Sequence, residues 1–162
     1  MTYGLYLSLA LIVLSLLFYI AELYMEDWTS YISYAVLFAG VGFSSFLYRN
    51  NHLNGFISYG DSMLTGFLTG LFAAVITSIY TYIFMTYLGT DMITEMLIVA
   101  EESVLSGNPD ISDEDLEMAM SITRKVMQPG GMSLMALLFT SFFAVVFSLV
   151  TSIFIKKEEI QE

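Results

Sequence analysis

The chain has 162 residues, of which 57% are hydrophobic and 13% are charged, and it contains no cysteine. Soluble domains carry about 25% charged residues, so this composition excludes a soluble globular protein, a disulfide scaffold and a cysteine-ligated metal site. The net charge of −11 also excludes a nucleic-acid partner, which needs a basic surface, and an integral membrane protein remains.

Four apolar stretches without a charged residue predict transmembrane helices, because a bilayer core about 30 Å thick needs roughly 20 residues of helix. They run from about 4 to 21, 30 to 48, 62 to 88 and 131 to 155. The first has no basic residue before it and no small-residue cleavage motif after it, so we expect a retained span and not a signal peptide. Transmembrane β-strands would alternate apolar and polar residues, which the continuous apolar run at positions 9 to 14 does not do.

Residues 89–130 predict an acidic helical hairpin outside the membrane, between the third and fourth spans. Nine of the sixteen acidic residues lie between Asp91 and Glu117. Turn-forming residues at 106–110 separate two helical patterns, and Ser112 is the expected N-cap of the second. The apolar positions with helical spacing are Ile93, Met96, Leu97, Ala100 and Val104 in the first pattern, and Leu116, Ala119, Met120, Thr123 and Met127 in the second.

The hairpin is expected to bind a protein partner, because each of its helices is only about fifteen residues long and marginal alone in water. Methionine side chains are adaptable and common on binding surfaces, whereas the many acids disfavour anionic lipid headgroups. The partner is either a second copy of the chain or another membrane or envelope protein. The predicted partner-binding residues are Met92, Met96, Met118, Met120 and Met127.

Small residues recur every four positions in the third and fourth spans, which lets helix backbones approach closely in lipid. This pattern indicates either a homodimer interface or packing of the two spans on each other within one chain. We favour the second, because both spans carry the pattern and the hairpin returns one beside the other. The predicted helix-packing residues are Ser62, Gly66, Gly70, Ala74 and Ser78, with a GxxxG motif, and Ala136, Thr140, Ala144 and Ser148.

Motifs for catalysis or for ligand binding are weak, and we expect neither enzymatic activity nor a bound metal or cofactor. The apolar stretches contain no ionisable residue of the kind that marks ion-coupling sites, and both prolines lie outside them, which argues against broken transporter helices. The acids at 110–117 do not match the EF-hand pattern. His52 and Asp61 flank the third span, but two ligands are too few for a structural metal site.

Two motifs carry a family resemblance. Gly55-Phe-Ile-Ser-Tyr-Gly60 stands before the third span, and Met127-Gln-Pro-Gly130 stands before the fourth, after an acidic, methionine-rich helix. With the four-span layout, they resemble the domain of unknown function 4199 family, uncharacterised bacterial membrane proteins frequent in Bacteroidetes. The resemblance implies a bacterial inner-membrane protein and gives no catalytic or ligand residue.

The sequence therefore predicts an all-α integral membrane protein, a single domain over residues 1–162 with a four-helix transmembrane bundle and an extramembrane acidic hairpin. Three basic residues, at 49, 156 and 157, lie on the same side of the predicted membrane as the termini, and two, at 124 and 125, lie on the hairpin side. Because basic residues are more frequent on the cytoplasmic side, this difference favours cytoplasmic termini and a periplasmic hairpin. The expected function is that of a non-enzymatic structural or accessory protein. The alternative is an oligomeric solute or ion pathway lined by Thr65, Thr69, Thr77 and Thr81.

Overall fold

The computed structural model describes residues 1–157, and over this range the chain is all-helical. The six helices are α1 (Thr2–Ile20), α2 (Asp27–His52), α3 (Tyr59–Tyr87), α4 (Thr90–Gly107), α5 (Asp113–Val126) and α6 (Pro129–Ile155). Four of them, α1, α2, α3 and α6, are long and apolar enough to cross a membrane. The predicted all-α class and the four apolar helices are confirmed.

The long helices extend beyond the apolar stretches because polar end residues continue them. α2 begins at Asp27 and has Arg49 and His52 in its last turn. This arrangement suits the helix dipole, which favours an anion at the start of a helix and cations at its end. α6 begins at Pro129, and proline suits a first helical position because its missing N–H has no intrahelical partner there.

Two helices begin with the same reciprocal cap. The Ser58 hydroxyl accepts a hydrogen bond from the Asp61 amide at 3.1 Å and donates one to the Asp61 carboxylate at 2.7 Å. At the start of α5, Ser112 accepts from the Asp115 amide at 3.2 Å and donates to the Asp115 carboxylate at 2.7 Å. The prediction of Ser112 as an N-cap is confirmed.

The described chain divides into two compact units: Met1–Thr77 together with residues 137–157, and Ser78–Ala136. The first unit has an apolar core of Leu7, Leu37, Val41 and Ala73, against which Phe143 and Phe147 pack. It contains α1, α2, most of α3 and most of α6, so the core is built by the four apolar helices.

Small residues bring α3 and α6 together inside the first unit. A Cβ built on Gly70 would meet the Cβ of Ala144, and one built on Gly66 would lie 3.1 Å from the Cβ of Ser148 and 2.9 Å from Val41. These contacts join two predicted small-residue stripes within one chain, as the intramolecular interpretation expects.

Contacts at one end of the first unit tie the chain segments after α2 and α6 to each other. Ile57 and Lys157 exchange two backbone hydrogen bonds of 2.8 and 2.9 Å. The Arg49 guanidinium donates to the carbonyl of Ile155 at 2.8 Å, at the C-terminal end of α6, where the helix dipole favours a cation. Gly55, with φ +89, makes the turn that a side chain would strain.

Buried serines provide a test of the α2–α3 contact. The Ser45 hydroxyl donates to the carbonyl of Ser62 at 2.8 Å, whereas the hydroxyl of Ser62 itself is buried and has no hydrogen-bond partner among the described residues. We expect Ser45→Ala to lower the free energy of unfolding by about 1 kcal/mol, and Ser62→Ala to leave it unchanged or raise it slightly, because an unsatisfied buried hydroxyl is removed. Thermal unfolding of both variants in one mild detergent measures the difference, and an equal loss would contradict it.

Candidate partner-binding surface

The second unit contains α4 and α5, which contact each other. The short segment between them turns through a hydrogen bond from the Ile111 amide to the carbonyl of Asn108, 3.1 Å long. α4 ends at Gly107, and the Asn108 amide bonds the carbonyl of Val104. The turn residues thus lie where the sequence predicts the break between the two helices.

The predicted apolar positions of both helices are the covered ones. The five positions on α4, and the five that run from Leu116 to Met127, are all buried or half-buried, while their polar neighbours are exposed. Helical periodicity therefore identifies the faces by which α4 and α5 pack inside the second unit.

The five methionines predicted to bind a partner do not form one accessible surface. Met92 and Met120 are only 6% and 3% exposed, so the chain itself covers them. Met96 and Met127 are half-buried, and Met118 alone is largely exposed, at 61%. Only Met118 remains fully available to a partner, since the other side chains serve packing within the chain.

Other apolar side chains, which the sequence analysis did not single out, are exposed on the same two helices. Ile98 on α4 and Ile122 on α5 are each more than half exposed, and Val99 and Leu105 are exposed as well. Ile122 lies one turn after Met118, so the two share a face of α5. We call Ile98, Met118 and Ile122 the exposed apolar set.

Exposed acidic side chains are abundant in the same part of the chain. All nine acids between Asp91 and Glu117 are exposed, as are Arg124 and Lys125 near the end of α5. Three of the acids stand in the first turn of α5, where the helix dipole stabilises them. The two helices therefore expose apolar side chains on a strongly acidic part of the chain.

His52 and Asp61, weighed in the sequence analysis only as a metal pair, line a single groove in the first unit. The groove has a volume of about 910 Å³, and its walls include Tyr48, Thr65 and Thr69. Thr65 and Thr69 were predicted to line a solute pathway, whereas Thr77, predicted with them, donates to the carbonyls of its own helix at 2.9 and 3.2 Å. The groove is thus amphipathic, with ionisable groups at one end and an apolar wall along α3.

Comparison with known proteins identifies the family and nothing narrower. The sequence profile of the family described as "Protein of unknown function (DUF4199)" matches residues 2–157. No curated protein and no solved structure matches the chain. Because the match covers nearly the whole chain, the chain belongs to the DUF4199 family, and the resemblance seen in the sequence is confirmed.

Proposed function

We propose that this member of the DUF4199 family is a non-enzymatic accessory protein of the bacterial inner membrane. In this proposal α1, α2, α3 and α6 span the bilayer, and α4 with α5 forms an acidic hairpin on the periplasmic side. The hairpin binds another membrane or envelope protein through the exposed apolar set.

The distribution of charge supports a position of α4 and α5 outside the bilayer. A charged side chain at the bilayer centre costs about 2.5 to 3.5 kcal/mol on insertion scales, and these two helices expose eight acids. The four long helices carry charged residues only in their first or last turns. The two groups of helices thus suit different solvents.

The observation that carries the proposed binding role is the apolar surface left over after α4 and α5 pack together. Ile98, Met118 and Ile122 remain more than half exposed on these two acid-rich helices, and exposed apolar side chains that form a patch are typical of protein interfaces. The acids keep this surface soluble and favour a partner with basic or polar groups around an apolar centre.

We expect the double substitution Ile98→Glu with Ile122→Glu to release the partner, because it places two charges where the interface would exclude water. The chain is purified from its native membranes in mild detergent, and the size and composition of the complex are compared with those of the unsubstituted protein. Glutamate at Met120 would not serve, because that side chain is buried.

The matched control is Ser103→Glu with Ser106→Glu. Both residues are exposed on α4, and neither stands three or four positions from Ile98, so this variant adds the same two charges away from the exposed apolar set. The proposal expects the control to retain the partner. Equal retention by both variants would contradict it, and specific solute uptake by the purified protein in liposomes would favour the pathway alternative.

A further inference from the structure

We infer that the groove beside α3 binds a phospholipid with a primary ammonium headgroup, phosphatidylethanolamine, with the ammonium at Asp61 and one acyl chain along α3. The inference is independent of the proposed partner, because every residue that lines the groove belongs to the first unit.

The polar end of the groove contains groups with hydrogen-bonding capacity to spare. One carboxylate oxygen of Asp61 accepts from Ser58, and the other has no partner among the described residues. The His52 ring stacks on Tyr48, with centroids 5.2 Å apart, and its nitrogens make no hydrogen bond within residues 1–157. A carboxylate can accept from an ammonium group, and an imidazole N–H can donate to a phosphate oxygen.

Charge decides between headgroups. Asp61 is the only acid that lines the groove, and a zwitterion with an ammonium end matches a groove lined by one carboxylate and one histidine. The quaternary ammonium of phosphatidylcholine has no N–H to donate, and phosphatidylglycerol brings no cation at all. A primary ammonium headgroup therefore satisfies Asp61 where the other two do not.

Beyond the polar end, one face of α3 offers a hydroxyl for the ester region of a phospholipid and an apolar wall for its acyl chain. Thr65 follows Asp61 by one turn, and its hydroxyl, without a partner in the described part of the chain, can donate to an ester carbonyl. Further along, Leu68, Phe72 and Val75 form an apolar wall. The twelve residues from Leu64 to Val75 rise about 16 Å, close to half of a hydrocarbon core about 30 Å thick, which is the depth of one leaflet.

The size of the groove agrees with this occupant. Its volume of about 910 Å³ lies at the upper end of the roughly 300 to 1,000 Å³ typical of small-molecule sites. Thr69, only 7% exposed, also opens onto it without a hydrogen-bond partner among the described residues, which is unfavourable in pure hydrocarbon and suits a ligand with oxygen atoms.

The test uses native mass spectrometry of the full chain in detergent, with phosphatidylethanolamine, phosphatidylcholine and phosphatidylglycerol of identical acyl chains. We expect phosphatidylethanolamine to be retained about tenfold more than the other two, as a charge-assisted hydrogen bond allows. Asp61→Asn should remove that preference. Ser58→Ala is the control, since it removes the partner of the helix cap but keeps the carboxylate, and it should retain the preference.

A second pair of variants tests the apolar wall. Leu68 and Leu138 are 52% and 54% exposed, but only Leu68 lines the groove. Leu68→Trp should lower the retention of all three lipids several-fold by filling the groove, and Leu138→Trp should not. The inference is overturned if the unsubstituted chain retains the three lipids equally, or if the preference survives Asp61→Asn. It is also overturned if the two tryptophan variants have equal effects. The first and third outcomes stay decisive even if Asp61→Asn fails to fold.

Discussion

Alanine at position 70 is expected to destabilise the chain, and the same substitution is expected to stabilise it when Ala144 has first been changed to glycine. A Cβ on Gly70 would overlap the Cβ of Ala144, while its next contacts, with Val41 and the Cα of Ala144, would be an ordinary 3.4 Å. The methyl group of Ala144 therefore decides whether Gly70→Ala lowers or raises the free energy of unfolding. Overpacking of this kind costs about 1 to 3 kcal/mol.

The gain in the second background has a separate cause. Glycine inside a helix is less favourable than alanine by about 0.8 to 1.0 kcal/mol, so Gly70→Ala should recover that amount once the opposing methyl group is absent. The four chains of this double-mutant cycle can be unfolded thermally in one mild detergent, and the coupling energy is read from the differences.

Gly60→Ala is the matched control on the same helix. The nearest atom to a Cβ there is the Ser58 hydroxyl at 4.0 Å, so Gly60→Ala should not lower the free energy of unfolding and can raise it by up to about 0.8 to 1.0 kcal/mol. If Gly70→Ala has the same sign in both backgrounds, α3 and α6 do not approach each other at this point. A homodimer interface at the small-residue stripe would instead make the effect depend on protein concentration.

Local patterns in the sequence are enough to predict the helices, because their causes are local. Apolar length gives α1, α2, α3 and α6, a serine with an acid three residues later gives the start of α5, and periodicity gives the packed faces of α4 and α5. These features depend on neighbours along the chain, and a single sequence displays them.

The exposed residues of α4 and α5 were predicted less well, because the five methionines were chosen by residue type and not by their angular positions around each helix. Met118 and Met120 are two residues apart and thus about 200° apart around α5, so both cannot lie on one accessible face. Met120 belongs to the apolar stripe and is buried, whereas Met118 is exposed. The angular spacing was a signal in the sequence that separates the two.

The groove could not be predicted from local patterns, since it requires residues from three helices. His52 ends α2, Asp61 lies in the first turn of α3, and Tyr3 comes from α1. They line one groove because the turn at Asn54 and Gly55, both with positive φ, returns the chain beside α2. The Gly55–Gly60 motif lies at that turn, but the motif alone does not show which residues the turn brings together.

Alanine at Gly131 is expected to disturb the end of α5 strongly, whereas alanine at Gly130 is expected to be tolerated. A Cβ on Gly131 would lie too close to the carbonyl oxygens of Val126 and Lys125, the latter at 2.6 Å. These are backbone atoms, which cannot rotate away as a side chain does, so the last turn of α5 or the start of α6 must move. A Cβ on Gly130 meets nothing within 4 Å.

Hydrogen exchange of the α5 amides measures this difference, because exchange reports local opening. We expect Gly131→Ala to speed exchange over the last turn of α5 and to lower the free energy of unfolding by about 2 kcal/mol or more, and Gly130→Ala to match the parent. Identical exchange in the two variants would show that the turn between α5 and α6 is wider than the contacts at Gly131 require.

If α5 presents the exposed apolar set to a partner, Gly131→Ala should also weaken capture of that partner, since Met118 and Ile122 move with the helix, while Gly130→Ala leaves capture intact.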